Sequence, residues 1–165
     1  MPASVIGKSL GLGYPGNVSR NDPRTLVMNR SVKTAVIPFG IPVKLNTDNT
    51  YSPLTSDDTF AVFAGVALRN VKQQTIFASN AMGQYEINEG CDVLQQGFVT
   101  VKTNASNAIT AGGDVYATFN ADKSFLQFDS TTATGAIKLT NCRWASNVTD
   151  SNGVAELAIV AANQG

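Results

Sequence analysis

The feature that most limits the fold of this chain is a regular alternation of short apolar segments and turn-forming residues. From Thr34 onward, runs rich in Val, Ile, Phe and Thr recur at intervals of roughly ten residues, with Gly, Asn and Asp between them. β-Branched and aromatic residues favour strands, and most of these runs are too short for buried helices. The pattern predicts an all-β fold, either a small β-barrel or a sandwich.

Composition excludes several classes of protein. Only 15% of the 165 residues are charged, against roughly 25% in an ordinary soluble domain. Histidine is absent, which excludes Ser-His and Cys-His catalysis and every His-containing metal site within this chain. No window approaches the ~18 apolar residues of a membrane span, and the first residues lack a secretory signal. We therefore expect no catalytic residues, no metal, no cofactor and no membrane contact.

The chain divides into two regions in its pattern of residues. Residues 1–31 read as an extended, mostly irregular N-terminal arm, because Gly and Pro interrupt every helical or strand period there. Residues 32–165 contain the strand-like runs and no internal linker, so we expect them to form a single β domain.

Charge is also divided unevenly, although the net charge of the chain is zero. Residues 1–47 carry six basic and one acidic side chain, and residues 48–165 carry six basic and eleven acidic ones. The basic charge is too dispersed for a typical nucleic-acid arm and instead favours docking on an acidic protein surface. We predict that Tyr14, Arg20, Arg24 and Arg30 bind that partner, since Tyr and Arg are frequent interface anchors.

Four segments of the β domain carry more specific expectations. Residues 35–45 contain two prolines that cannot donate to a ladder, which places their strands at a sheet edge or bulge. Residues 59–68 predict a buried strand, residues 70–90 a polar loop or hairpin, and residues 91–103 a strand.

Several apparent functional motifs lack the neighbouring residues or elements that their function requires. The GxGxxG of residues 11–16 has no strand before it and a proline where the helix of a dinucleotide site would run. The acidic pairs Asp57-Asp58 and Glu86/Glu89 lie in turn-like segments, where sequence cannot place two carboxylates across a cleft. Cys91 and Cys142 could form a bridge, but without an export signal buried reduced thiols are favoured.

The order of several fragments resembles the bacteriophage structural cement proteins. The fragments are GYPG followed by Ser19-Arg20, IPFGIPVKLN at 37–46, FAVFAGVALR at 60–69, CDVL and GFVTV within 91–101, AGGDVY at 111–116 and LTNCRW at 139–144. Each fragment alone is ordinary strand material, but together they follow the family order from about residue 13 to residue 160. The N-terminal segment formed by residues 1–12 is longer than the corresponding segment usual in that family.

The resemblance implies a non-enzymatic virion protein that decorates and cements an assembled capsid. Its partners would be the major capsid protein and further copies of itself, most often as a homotrimer, with no direct contact to nucleic acid. It would lie on the outer capsid surface after assembly in the host cytoplasm.

Two other functions remain open from the residues. A carbohydrate- or receptor-binding module of a phage tail or head fibre would use exposed aromatics, for which Tyr51, Tyr85, Tyr116 and Trp144 are the candidates. A hydrolase built on Asp and Glu alone would need two isolated acids on neighbouring strand ends, which the sequence does not reveal.

Overall fold

A computed structural model of the chain describes residues 12–71, 83–104, 107–149 and 153–163. The strands are β1 (Leu26–Ser31), β2 (Ile37–Pro38), β3 (Pro42–Leu45), β4 (Tyr51–Pro53), β5 (Phe63–Ala67), β6 (Gln84–Tyr85), β7 (Gly90–Lys102), β8 (Tyr116–Phe119), β9 (Phe125–Asp129), β10 (Ile137–Lys138), β11 (Cys142–Thr149) and β12 (Val154–Ile159). Within these ranges, the one helical element is a 3₁₀ turn at Phe60–Val62. The all-β prediction is confirmed.

The strands form one large sheet and two smaller ones. Six strands of the seven-stranded sheet follow the order β11-β12-β7-β5-β3-β4, and β1 also pairs with β7. A three-stranded sheet has the order β10-β8-β9, and β2 and β6 form a two-stranded ribbon. The sheets do not close into a barrel, so of the two predicted architectures the sandwich describes the molecule.

One face of the large sheet packs against the three-stranded sheet. The cluster between them combines Val99, Trp144 and Leu157 of the large sheet with Phe128 of β9, all almost fully buried. Full burial of side chains of this size stabilises a fold by roughly 1.5–3 kcal/mol each. This cluster is the principal core.

The opposite face of the large sheet packs against the β2–β6 ribbon. Val43 and Val93 of the large sheet meet Ile37 and Tyr85 of the ribbon in a second buried cluster. The Tyr85 hydroxyl donates to the carbonyl oxygen of Leu68 at 2.8 Å, so its burial leaves no polar group unsatisfied there. The large sheet is therefore covered on both faces.

A β-bulge in β7 lets this strand contribute to both clusters. Leu26 pairs with Gln96 and Val27 with Leu94, which leaves Gln95 as an extra residue. An extra residue shifts the side-chain alternation by one position. Leu94 and Val99 consequently lie in the same cluster although they are five residues apart.

Of the two placements expected for the proline-containing segment, a sheet edge or a bulge, β3 shows the second. This strand lies inside the large sheet, between β4 and β5. Pro42 is its first residue, where a missing N–H is tolerated. The expected irregularity is present, because the register shifts between Val43 and Lys44.

The predicted strand at 59–68 is shorter in the structure, since its first part is the 3₁₀ turn. The side-chain amide of Asn163 donates to the carbonyl oxygens of Phe60, Ala61 and Phe63 at 2.9, 3.1 and 3.0 Å. These contacts hold the carbonyls away from a regular ladder. The strand prediction for 91–103 is confirmed by β7.

The remaining sequence expectations concern the polar excursion and the two cysteines. Residues 72–82 of the excursion at 70–90 lie outside the described residues, and β6 occupies part of the remainder. Cys91 and Cys142 are both buried and are not joined in a disulfide, and each belongs to a different apolar cluster. Burial also raises the pKa of the Cys142 thiol far above its usual range, as expected of an inert structural thiol.

Candidate partner-binding surface

Residues 16–20, here called the arm root, lie along the edge of β7 that faces away from β12. The Gly16 amide donates to the Thr100 carbonyl oxygen at 2.7 Å. Val18 forms an antiparallel bridge to Val99, and Val99 pairs with β12 on its other side. Because a strand residue has only two sides, the arm root extends the large sheet opposite β12.

A buried carboxylate fastens the arm root to the sheet. Glu156 of β12 is 6% exposed. It accepts two hydrogen bonds from Arg20, 2.7 Å from Nε and 2.6 Å from Nη2, and a third from the Ser19 hydroxyl at 2.7 Å. The Arg20 guanidinium also lies 5.0 Å from the centre of the Phe98 ring. Two-point arginine–carboxylate pairs are the strong form of this interaction.

The ionisation of Glu156 depends on these contacts. Burial by itself raises the pKa of the carboxyl group, because it disfavours the charged form. The hydrogen bonds from Arg20 and Ser19 and the positive charge of Arg20 outweigh burial and hold the pKa below its ordinary value. The arm root therefore favours the charged form of Glu156.

The other two predicted arginines have different surroundings. Arg24 pairs with Asp22, with 3.0 Å between Nη2 and Oδ2, and the side chain of Arg24 is 70% exposed. Arg30 is half-buried in β1, and its guanidinium carbon lies 5.7 Å from the centre of the Tyr51 ring. Arg24 is thus accessible to a partner, while Arg30 offers only part of its surface.

Tyr14, the fourth predicted residue, is 65% exposed. Its ring lies under the guanidinium of Arg69, 4.1 Å from the Arg69 carbon to the ring centre. Arg69 lies two residues beyond the end of β5 and is itself exposed. Pro15, Phe39 and Gly83 complete the walls of an open groove around this pair.

The structure gives each of the four predicted residues a different partner. Tyr14 contacts Arg69, Arg20 contacts Glu156, Arg24 contacts Asp22 and Arg30 contacts Tyr51. Sequence reasoning missed Glu156 and Arg69. Both follow apolar strand residues and carry no local motif, so only their long-range contacts reveal them.

Most of the aromatic residues that a sugar platform would need are inside the protein. Tyr51, Tyr85 and Trp144 are at most 1% exposed, and Tyr116 is half-buried beside Lys138. These side chains act as core residues rather than as a binding surface.

The described ranges of the chain lack two further features. They contain no helix that is long and apolar enough to cross a membrane. Nor do these same residues include a cluster of three or more Cys, Asp or Glu side chains that could hold a metal ion.

The fold is shared with a chain from a virus particle. A solved structure described as the capsid of Myoviridae phage XM1 contains a chain with a TM-score of 0.72 to this protein. The two chains are 22% identical, and the similarity covers 95% of each. At this identity the match shows a common fold.

A family model identifies the chain more specifically. The family described as structural cement protein (E217 gp24/Pam3 gp6) matches residues 1–160, so the chain belongs to this family. None of the curated proteins is similar enough to be matched with it. Family membership gives the protein a structural role in a phage capsid, and such a role is non-enzymatic.

Proposed function

We propose that this protein decorates the outer surface of an assembled phage capsid and cements neighbouring major capsid protein subunits. The observation that carries the proposal is the family match over residues 1–160. A subunit that bridges two neighbours resists their separation, and many weak sites gain from acting together.

The β domain has features that would help it to resist mechanical force. Each face of the large sheet carries a buried apolar cluster, and most of its pairings join segments that are far apart in sequence. Regions with many buried contacts open at a higher free-energy cost than regions with few. The β domain can transmit force between its binding surfaces.

In this proposal the arm residues share the work of binding. Tyr14, Arg24 and Arg30 contact the capsid protein through their exposed surfaces. Arg20 contributes by holding the arm root on Glu156 and presents only its exposed side to the partner. The basic character of residues 1–47 then steers the protein towards an acidic capsid surface.

We further propose that the protein acts as a homotrimer on the virion, after assembly in the host cytoplasm. Light scattering tests the oligomer, because a trimer has three times the 17.4 kDa mass of one chain. If the measured mass is that of one chain at the concentrations used for binding, the trimer is contradicted, but the proposed decorating role is not.

The experiment that tests the function is co-sedimentation of the purified protein with phage heads that lack it, at low and high salt. We expect saturable binding that weakens as salt rises, since salt screens exposed charges. Saturable binding that does not change with salt would support the cementing role and contradict the proposed electrostatic attraction to the capsid. Absence of binding at either salt would favour the receptor-binding alternative, which a glycan array then tests.

Point variants probe the arm better than deletion of residues 1–31. That deletion also removes β1 and uncovers Glu156, so loss of binding could reflect a damaged sheet. Tyr14→Ala and Arg24→Ala change exposed side chains, and we expect each to weaken binding while the unfolding temperature stays unchanged. Lys123→Ala, which removes another exposed cation paired with Asp57, is the matched control.

A further inference from the structure

The groove around Tyr14 and Arg69 combines an exposed aromatic ring, an exposed positive charge and apolar walls. Its two central side chains stack on each other with their outer surfaces exposed. Pro15 and Phe39 add apolar walls. Tyr and Arg are the residues most enriched at the energetic centres of interfaces.

Main-chain contacts hold the groove in one conformation. The Thr100 hydroxyl donates to the Tyr14 carbonyl oxygen at 2.7 Å. The Arg69 amide donates to the Gly16 carbonyl oxygen at 2.8 Å. Both stacked residues are therefore anchored to neighbouring strands at their backbones, so binding would cost little ordering entropy.

Among the described residues, Arg69 and the half-buried Arg30, each of which lies over a tyrosine ring, differ from the other three arginines in having no carboxylate within 4 Å. Arg20, Arg24 and Arg143 each have such a carboxylate. A guanidinium that stacks on a ring keeps the N–H donors along its edge for an acceptor. The groove thus offers positive charge and donors beside an apolar wall.

The chemistry of the groove selects among possible occupants. Among the described residues that line it, none carries a carboxylate or amide for binding sugar hydroxyls. A second copy is also a poor source of acceptors. Every carboxylate of the described residues already takes part in a hydrogen bond within its own chain.

We propose that this groove binds an Asp or Glu side chain of the major capsid protein. The carboxylate meets the edge of the Arg69 guanidinium, and an apolar neighbour of that acid covers Tyr14 and Pro15. This inference rests on the proposed function and adds to it Arg69 as a binding residue and the chemical nature of the capsid epitope.

Co-sedimentation with heads that lack the protein tests the groove. Arg69→Met keeps the aliphatic stem and removes the charge, and we expect its apparent dissociation constant to rise at least about tenfold. We expect a similar rise for Tyr14→Ala and none for Tyr14→Phe, which keeps the ring. Lys123→Ala removes one exposed cation elsewhere and should bind as the unmodified protein does.

Each result has a separate meaning. If the unmodified protein binds saturably and Arg69→Met binds equally well, the groove is not the capsid site and the inference fails. If Arg69→Met lowers the mass measured by light scattering, Arg69 serves contacts between copies, which also overturns it. If the unmodified protein does not bind heads, the proposed function itself has failed. Equal unfolding temperatures of all variants show that folding is not the cause.

Discussion

Two neighbouring segments of the N-terminal region join the same strand, β7, in different ways. The arm root contributes a buried ion pair and a bridge to Val99. β1 pairs with β7 over six residues, yet Leu26, Val27 and Met28 are all 36–39% exposed. The irregular segment is therefore held by specific side chains, and the regular strand mainly by its backbone.

This contrast shows that regular secondary structure and tight attachment are separate properties. A β-ladder satisfies backbone groups but contributes little burial when its side chains face solvent. A short irregular segment can be held more firmly when it neutralises a buried charge, because its departure would leave that charge without a partner. We therefore expect substitutions in the arm root to destabilise the protein more than substitutions in β1.

The largest effect is expected at Gly16, where the arm root passes closest to the body. Its φ of +91° lies in the left-handed region, and an added Cβ would lie 2.9 Å from the Arg69 amide and 3.1 Å from the Ala67 carbonyl oxygen. We expect Gly16→Ala to lower the free energy of unfolding by about 3 kcal/mol, from strain and from backbone displacement. Urea denaturation measures the change.

Gly112→Ala is the control for strain alone. Gly112 also has a positive φ, +77°, but an added Cβ would meet nothing within 4 Å. Its cost should be about 1 kcal/mol. Equal losses for Gly16→Ala and Gly112→Ala would mean that the close approach of the arm root contributes nothing.

A smaller loss is expected when the ion pair of the arm root is broken. Arg20→Ala leaves the Glu156 carboxylate buried without its cation, and we expect it to lower the free energy of unfolding by about 2 kcal/mol. Adding Glu156→Gln to this variant should recover part of the loss, because a neutral amide is cheaper to bury. Arg24→Ala, which breaks an exposed pair, should leave stability almost unchanged. Equal effects of Arg20→Ala and Arg24→Ala would show that the buried pair has no special weight.

The contribution of the arm root to stability should be lost in acid and retained at neutral pH. The pKa of Glu156 is lower in the folded protein than in the unfolded chain, so its contribution is complete above the ordinary glutamate pKa of about 4.3. That contribution is lost as pH falls through the folded pKa. Denaturation curves from pH 6 to pH 3 should therefore fall less steeply for Glu156→Gln than for the unmodified protein. Parallel curves would contradict this account.

The smallest effect is expected on β1. Val27→Thr keeps a β-branched side chain at an exposed position, and we expect the free energy of unfolding to change by less than about 0.5 kcal/mol. Urea denaturation of the pure protein at low concentration measures it. A loss above about 1.5 kcal/mol would show that β1 is packed as tightly as the arm root, and would remove the contrast.

The all-β class and the course of β7 were predictable because their signals are local. Val99 and Val101 alternate with polar residues, and the Gly and Asn clusters between runs are typical turns. The interior position of β3 was not predictable, since Pro42 is excluded from a central strand only when it must donate a hydrogen bond. Its place as the first residue of the strand depends on where pairing with β5 begins.

The candidate site was predictable only in part. Tyr14 stood out as an aromatic residue in an irregular segment. Arg69 did not, because it follows an apolar run and resembles any strand-terminal residue. What distinguishes Arg69 is the absence of a nearby carboxylate among the described residues and its stacking on Tyr14, which lies 55 positions earlier in the numbering. Contacts of that separation are a property of the fold.

The sequence by itself determined the all-β class, the course of β7 and the basic character of the N-terminal region, because these depend on side-chain type and on spacing between near neighbours. Its fragments also carried the family resemblance. Only the tertiary structure decided which arginine neutralises Glu156 and which remains available beside Tyr14. The physical reason is that charge pairing and burial depend on distances in space, and these are set when strands from distant parts of the chain come together.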